Sequence, residues 1–281
     1  MNKFFTLGFF LLLASYLEAE VVREEGYLQI TAESSNEASW ESGSQTRPVK
    51  ISSGDVAIGW KKRRVSVELV NSEGSLRAER IFPAEPVELR QMTEITEALN
   101  RDIMERSRAV TRGAKDLMPP MALWNQAGEF RLKKDFLGHP LAINFIFTRC
   151  ANARMCPAST QAMQRLAEEL DKDPQLANVK LLTISFDPTY DSPGVLRTYA
   201  DSRKIPLARH EFLTGNLAQI NHLMRQYGII TTREDGTIVH NAALILVSAE
   251  GRILQRREGA VFDAVAVARY FKTLNELSAQ P

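Results

Sequence analysis

Two cysteines, Cys150 and Cys156, are the only ones in this 281-residue chain, and Ala151-Asn152-Ala153-Arg154-Met155 stand between them. Cys156 is followed by Pro157, a residue at home in the first turn of a helix, where its missing N–H costs no hydrogen bond. The unpaired N–H groups and partial positive charge of a helix N-terminus favour a thiolate over a thiol. Arg149 and Arg154 add to that field, so Cys156 is expected to ionise readily. A thiolate in such a place is both a nucleophile and a soft-metal ligand. Two cysteines are too few for an all-cysteine iron–sulfur cluster, and a closed structural zinc site needs a fourth ligand. Two thiolates with one imidazole suit three-coordinate Cu(I), and they accept Cu(II) when an oxygen ligand is added. His240 is the best third ligand, because it directly precedes the apolar run Ala242 to Val247, and strand order can return it to the cysteine loop. The other histidines fit worse: His139 lies at the wrong end of its strand, His210 enters an expected edge strand, and His222 sits mid-helix.

Two other chemistries stay open. In an oxidising compartment a pair of cysteines is by default a structural disulfide. The pair can also serve as the redox centre of a thiol–disulfide oxidoreductase. Against that enzyme reading, a thioredoxin-type pair has two residues between its cysteines, and no proline stands beside Asn241-Ala242. A peroxidatic cysteine needs a threonine three residues before it, whereas Thr148 is two before Cys150.

The compartment follows from the N-terminus. Lys3, the fourteen-residue stretch Phe4 to Leu17 and the site Leu17-Glu18-Ala19 read as a signal peptide over residues 1–19. The stretch is shorter than the ~20 residues a spanning helix needs, and it ends without the cysteine of a lipid-attachment site. The expectation is an exported, periplasmic protein, or one anchored to the membrane by an uncleaved signal segment and facing the periplasm. A formal net charge of +1 gives no basic field, so nucleic acid is not an expected partner.

Positioning the three residues requires particular elements. Over residues 20–86, runs such as Tyr27-Leu28-Gln29-Ile30 and Val65-Ser66-Val67-Glu68-Leu69-Val70 alternate apolar and polar side chains. They predict a small antiparallel β domain, a five-stranded OB-like barrel, with the Ser- and Glu-rich Glu33 to Arg47 as a mobile loop. Met92, Ile95, Leu99, Ile103 and Val110 recur at helical steps, predicting a linker helix over 87–112. Residues 113–281 alternate strand and helix. The apolar run Leu141 to Phe147 is a strand covered on both faces, with Pro157 to Asp171 as the helix after it. Val179 to Phe186, Ser192 to Lys204, Glu211 to Leu213 and Asn216 to Tyr227 follow as strand, helix, strand and helix. A hairpin of Ala242 to Val247 with Arg252 to Arg256, and a helix from Phe262 to Leu277, close the chain. The fold class is α/β, a thioredoxin-like mixed sheet with flanking helices. The cysteine loop then lies at the carboxyl end of a strand, where open α/β sheets bind ligands.

The motifs Phe145-Ile146-Phe147-Thr148-Arg149-Cys150, Cys156-Pro157, Thr183-Ile184-Ser185-Phe186-Asp187-Pro188, Phe212-Leu213-Thr214-Gly215 and His240 before Ala243-Leu244-Ile245-Leu246-Val247 occur in order. Together they resemble the Sco/SenC family of copper chaperones, over roughly residues 117–277. The resemblance implies copper held by Cys150, Cys156 and His240 and delivered to the dinuclear copper site of cytochrome oxidase, or to another cuproprotein acceptor. It also implies a thiol–disulfide reductant as a partner, and a metallochaperone rather than an enzyme. Asp187 matches the family's Asp-Pro segment near the site, where a turn-holding role competes with direct ligation. The family's common spacing places three residues between the cysteines; here there are five. The β domain resembles, more weakly, the closing half of small periplasmic copper-binding barrels of the CusF type. Residues 21–91 hold no His, Met or Cys, so the expectation is a barrel without a metal site, acting as a spacer or docking surface.

Overall fold

The structure is a computed structural model that describes residues 21–72, 74–107, 110–234 and 237–278; the signal segment expected over 1–19 lies outside them. Strands β1 (Val21–Ala32), β2 (Glu37–Ser42), β3 (Gln45–Lys50), β4 (Arg64–Ser72) and β5 (Ser75–Pro83) close into a barrel in the order β1-β2-β3-β5-β4. Its pairings are antiparallel except β3 with β5, which meet in parallel at Lys50 and Arg77. Period-two burial builds it: Val65, Val67 and Leu69 face a core that also holds Leu28, Trp40, Val49 and Ile81.

The expected loop Glu33 to Arg47 is instead mostly the hairpin of β2 and β3. Ala38 and Trp40 alternate into the core while Glu37, Ser39 and Glu41 stay outside, so half-polar composition concealed a strand. Trp40 and Trp60 are both core residues, their indole N–H groups donated to Glu24 and Asp55.

The short helix α1 (Ser53–Ile58), between β3 and β4, seats the barrel on the second domain. Ser52 caps it by accepting the Asp55 N–H. Its partner is α4 (Pro193–Ser202), met at Gly54, whose N–H donates to the Thr198 hydroxyl at 3.0 Å. A Cβ on Gly54 would stand 1.9 Å from the Gly194 carbonyl oxygen, so the two backbones touch where only glycine fits. Arg63 ties the barrel to Glu88 at 3.0 Å, and Trp124 donates to the same carboxylate at 2.8 Å.

Glu88 belongs to α2 (Pro86–Arg106), which buries Met92, Leu99 and Ile103. The helix stops short of the Val110 to which the periodicity extends, at a Ser107 cap with φ 51°. Beyond it Arg112 turns back, its guanidinium donating to Asp102, Gln226 and the Leu117 carbonyl. α2 lies along α5 (Leu217–Tyr227), whose Gln219 amide bonds the Met92 carbonyl and Thr96 hydroxyl.

The second domain is a seven-stranded sheet in the order β14-β13-β8-β9-β10-β6-β7. These strands are β6 (Ala122–Asn125), β7 (Phe130–Leu132), β8 (Leu141–Ile146), β9 (Lys180–Ser185), β10 (His210–Thr214), β13 (Ala243–Val247) and β14 (Ile253–Glu258). β8, β9 and β10 are parallel, and the strands outside them run antiparallel to their neighbours. All six β8 residues are buried, as a strand covered on both faces must be. One face is covered by α3 (Cys156–Asp171) and α6 (Ala264–Ser278), the other by α4, α5 and α2. This is the thioredoxin-like fold with mixed sheet and flanking helices.

Two hairpins were not foreseen. β6 pairs with β10 and β7 forms the edge beyond it, so His210 lies in an internal strand rather than the expected edge. β11 (Thr231–Glu234) and β12 (Thr237–His240) form a separate two-stranded sheet that ends at His240. No helix among the described residues is long and apolar enough to cross a membrane.

Candidate metal centre

Three elements converge on the sulfurs. The chain leaves β8 through Phe147, turns with a 3.3 Å bond from the Cys150 N–H to the Phe147 carbonyl, crosses 151–154 exposed, and enters α3 at Cys156. The helix thus begins one residue before Pro157, and its first bond runs from the Ser159 N–H to the Met155 carbonyl at 2.9 Å. β12 delivers His240 from the far side. The Sγ atoms of Cys150 and Cys156 and a ring nitrogen of His240 all lie within 4.8 Å of one another, and both cysteines are free thiols. All three sequence-predicted site residues are therefore brought together.

The histidine's tautomer is fixed by its neighbour. Nδ1 lies 2.7 Å from the Asn241 carbonyl oxygen, which can only accept, so Nδ1 carries the proton. Nε2 is left with its lone pair facing the Cys156 Sγ at 3.3 Å. Such an outer hydrogen bond is the usual way a ligating histidine is oriented. Phe186 packs on the imidazole at 4.7 Å between centroids and Phe147 meets it edge-on at 6.1 Å. Burial behind these rings lowers the His240 pKa, keeping it a neutral donor.

The expected low-pKa thiolate at Cys156 is not what its surroundings favour. Burial pushes the Cys156 thiol up, and the adjacent Cys150 adds to the rise. The arginines do not offset this. Arg149 is paired with Asp187 at 2.6 Å and stacks on Tyr190 at 4.2 Å, while Arg154 is exposed. Desolvation outweighs the helix N-terminus here, and a soft cation arriving among the three donors displaces protons rather than meeting preformed thiolates.

Asp187 holds a turn. Its carboxylate takes Arg149 and the Thr189 hydroxyl, and it stands outside the Cys150–Cys156–His240 cluster. Of the other histidines, His139 donates its Nδ1–H to the Asn178 carbonyl at the surface, His222 lies on α5, and His210 is fully buried against Thr183 at 2.7 Å.

Sequence reasoning passed over Asp191, which is fully buried and accepts from the Thr148 N–H, the Thr148 hydroxyl and the Ser185 hydroxyl. Burial raises its pKa to about 6. The available signal was a carboxylate beside the Ser192-Pro193 helix start, which reads equally well as an ordinary turn residue.

A thioredoxin-like domain carrying two free cysteines and a histidine within reach of one ion defines a class of candidate metal or redox proteins. The SCO1/SenC family profile matches residues 109–274, and the chain belongs to that family. It is 27% identical over 183 residues to a mitochondrial SCO2 homolog of Danio rerio, covering 62% of each chain. To a mitochondrial SCO1 homolog of Homo sapiens it is 26% identical over 174 residues, covering 58% of this chain and 56% of the relative. The chain thus spans about three-fifths of the length of these curated relatives. The solved structure of a SCO1/SenC family lipoprotein from Bacillus anthracis str. Ames shares the fold, with a TM-score of 0.52 at 21% identity over 58% of this chain and 97% of that one. The barrel lies outside the region the family profile matches.

Proposed function

We propose that this protein is an exported copper chaperone that takes Cu(I) on Cys150, Cys156 and His240 and passes it to a cuproprotein. The acceptor to which family membership points is the copper site of cytochrome c oxidase. The observation that carries this reading is the convergence of two sulfurs and one Nε2 lone pair within 4.8 Å. That donor set is soft and three-fold, which favours Cu(I) over harder cations. Handover proceeds by ligand exchange: an incoming thiolate of the acceptor adds to the three-coordinate ion as one of these donors leaves. The apolar segment at the N-terminus supports export, with retention of that segment as the route to membrane association. The barrel's strand order, with a single helix between β3 and β4, supports an OB-like domain that serves as a docking surface.

Anaerobic titration of the reduced full chain with Cu(I) tests the proposal. One ion per chain is expected, with binding lost in Cys150→Ser and in Cys156→Ser. Unchanged affinity in either variant overturns it. The thiol–disulfide reading has one observation in its favour, the closeness of the two sulfurs. The raised pKa of Cys156 counts against that residue as an attacking nucleophile.

A further inference from the structure

The two cysteines are held in different ways. Cys156 is fixed by α3 and by burial to 1% exposure. Cys150 is partly exposed, and the exposed stretch 151–154 on its far side gives it little support. Its position therefore depends on the arm Phe147-Thr148-Arg149 that leaves β8.

Two carboxylates from one turn grip that arm. Asp187 takes Arg149, and Asp191 takes both the N–H and the hydroxyl of Thr148. The turn itself is closed by the Asp191 N–H on the Asp187 carbonyl at 2.9 Å, and it leads directly into Ser192, the cap of α4. The two grips differ in weight. The Asp187 carboxylate is buried but the Arg149 side chain is 52% exposed, so water partly screens that ion pair. Asp191 is 0% exposed, and no cation is paired with it among the described residues, so its charge is satisfied by hydrogen bonds alone. Charge-assisted bonds in such surroundings are the strong ones, and losing a partner leaves a buried charge short of donors.

We propose that Asp191 is a positioning residue of the metal centre: through Thr148 it holds the arm that presents Cys150, and so sets how closely the Cys150 sulfur meets that of Cys156. The Ser185 hydroxyl, at 2.5 Å, anchors the same carboxylate to the end of β9, making the arm continuous with the sheet. For copper this inference rests on the proposed chaperone function; for the geometry of the two thiols it does not.

The test uses the full chain and two readouts. The first is the metal-free equilibrium with glutathione disulfide, in which the two thiols form the Cys150–Cys156 bond. Their two protons and two electrons pass to glutathione disulfide, giving two glutathione thiols. The second is Cu(I) affinity by competition with a chelator. Asp191→Asn and Thr148→Val are each expected to lower the disulfide equilibrium constant about tenfold, equivalent to ~30 mV. Copper affinity is expected to fall about tenfold, the range usual for outer-shell partners. Thr148→Ser, which keeps the hydroxyl, should restore both readouts. Trp40→Phe, in the barrel core and away from this turn, should change thermal stability and neither readout. Should Asp191→Asn fail to fold, Thr148→Val decides. Both readouts of Thr148→Val within about twofold of wild type would overturn the proposal. Wild type that binds no copper, alongside a shifted thiol equilibrium in Thr148→Val, would sink the chaperone reading and uphold the positioning role.

Discussion

The Sγ of Cys156 and the Nε2 of His240 stand 3.3 Å apart, and they come from elements that share no strand pairing. Cys156 opens α3, while His240 ends a two-stranded sheet separate from the main one. Their meeting is a tertiary fact, and it puts an imidazole nitrogen beside the two sulfurs, as the third ligand of the proposed copper site.

Removing that donor should weaken Cu(I) binding more than removing an outer-shell partner does. His240→Ala is expected to cost more than about 100-fold in affinity, beyond the 10- to 100-fold typical of second-shell changes. Competition against a Cu(I) chelator of known affinity measures it. The Nδ1–H is held by a backbone carbonyl, but the Asn241 side chain also ties this segment to the Ile230 N–H and the Gly228 carbonyl, so Asn241→Ala should weaken affinity by less than His240→Ala does.

Copper affinity should rise with pH. The metal-free site keeps Cys156 as a thiol, its pKa raised by burial, so each ion bound releases at least that proton. His240 adds a released proton of the same sign only in acid, since its lowered pKa keeps it neutral near pH 7. The logarithm of the apparent affinity should therefore climb by about one unit or more per pH unit between pH 6 and 8. A flat profile, measured by competition at fixed ionic strength, would refute displacement of a thiol proton.

Much of this site was legible in the chain because it sits on strong local signals. The all-apolar Leu141 to Phe147, the Cys-Pro helix start and the apolar strand after His240 each follow from nearest-neighbour chemistry. What could not be read is what depends on partners distant in sequence. The ionisation of Cys156 was expected from its helix and its arginines, but Asp187, far along the chain, takes Arg149 away, and burial does the rest. Asp191 gave no sign, since a buried acceptor and a helix-preceding turn residue look alike in sequence. The β2–β3 hairpin was hidden by composition, because Ala38 and Trp40 are its only strongly buried residues before Val49. The barrel's seat is likewise invisible, for nothing marks Gly54 and Gly194 as partners until the two helices touch.

Acid stability carries two opposing contributions that mutants can separate. His210, fully buried, has its pKa pushed down to about 3 by desolvation. The unfolded chain takes up that proton near pH 6.5 and the folded one does not, so this contribution is intact above pH 6.5 and is lost as pH falls toward 3. Asp55 has the reverse sign, with its pKa raised by burial to about 6. The folded state binds its proton more tightly than the unfolded state, so stability is gained as pH falls from about 6 toward 4. Urea denaturation between pH 7 and 4 should show a shallower loss of stability in His210→Phe than in wild type, and a steeper loss in Asp55→Asn. Parallel curves for all three proteins would contradict the assigned burial effects.

The junction between the barrel and the thioredoxin-like domain offers a prediction that owes nothing to metal. At Gly54 an added Cβ would lie 1.9 Å from the Gly194 carbonyl oxygen and 2.6 Å from the Thr198 hydroxyl oxygen. Neither neighbour is the free end of a long side chain, so the helices must part to admit one methyl group. Overpacking of this kind costs about 1–3 kcal/mol, and at ~2–4 °C per kcal/mol for a domain of this size the melting midpoint should fall by several degrees. Gly113→Ala is the matched control, since its Cβ would meet nothing within 4 Å. The loss in Gly54→Ala should be accompanied by faster amide exchange at the start of α4, the element that follows Asp191. Melting curves of Gly54→Ala and Gly113→Ala that coincide would show that the two domains are not locked together at this contact.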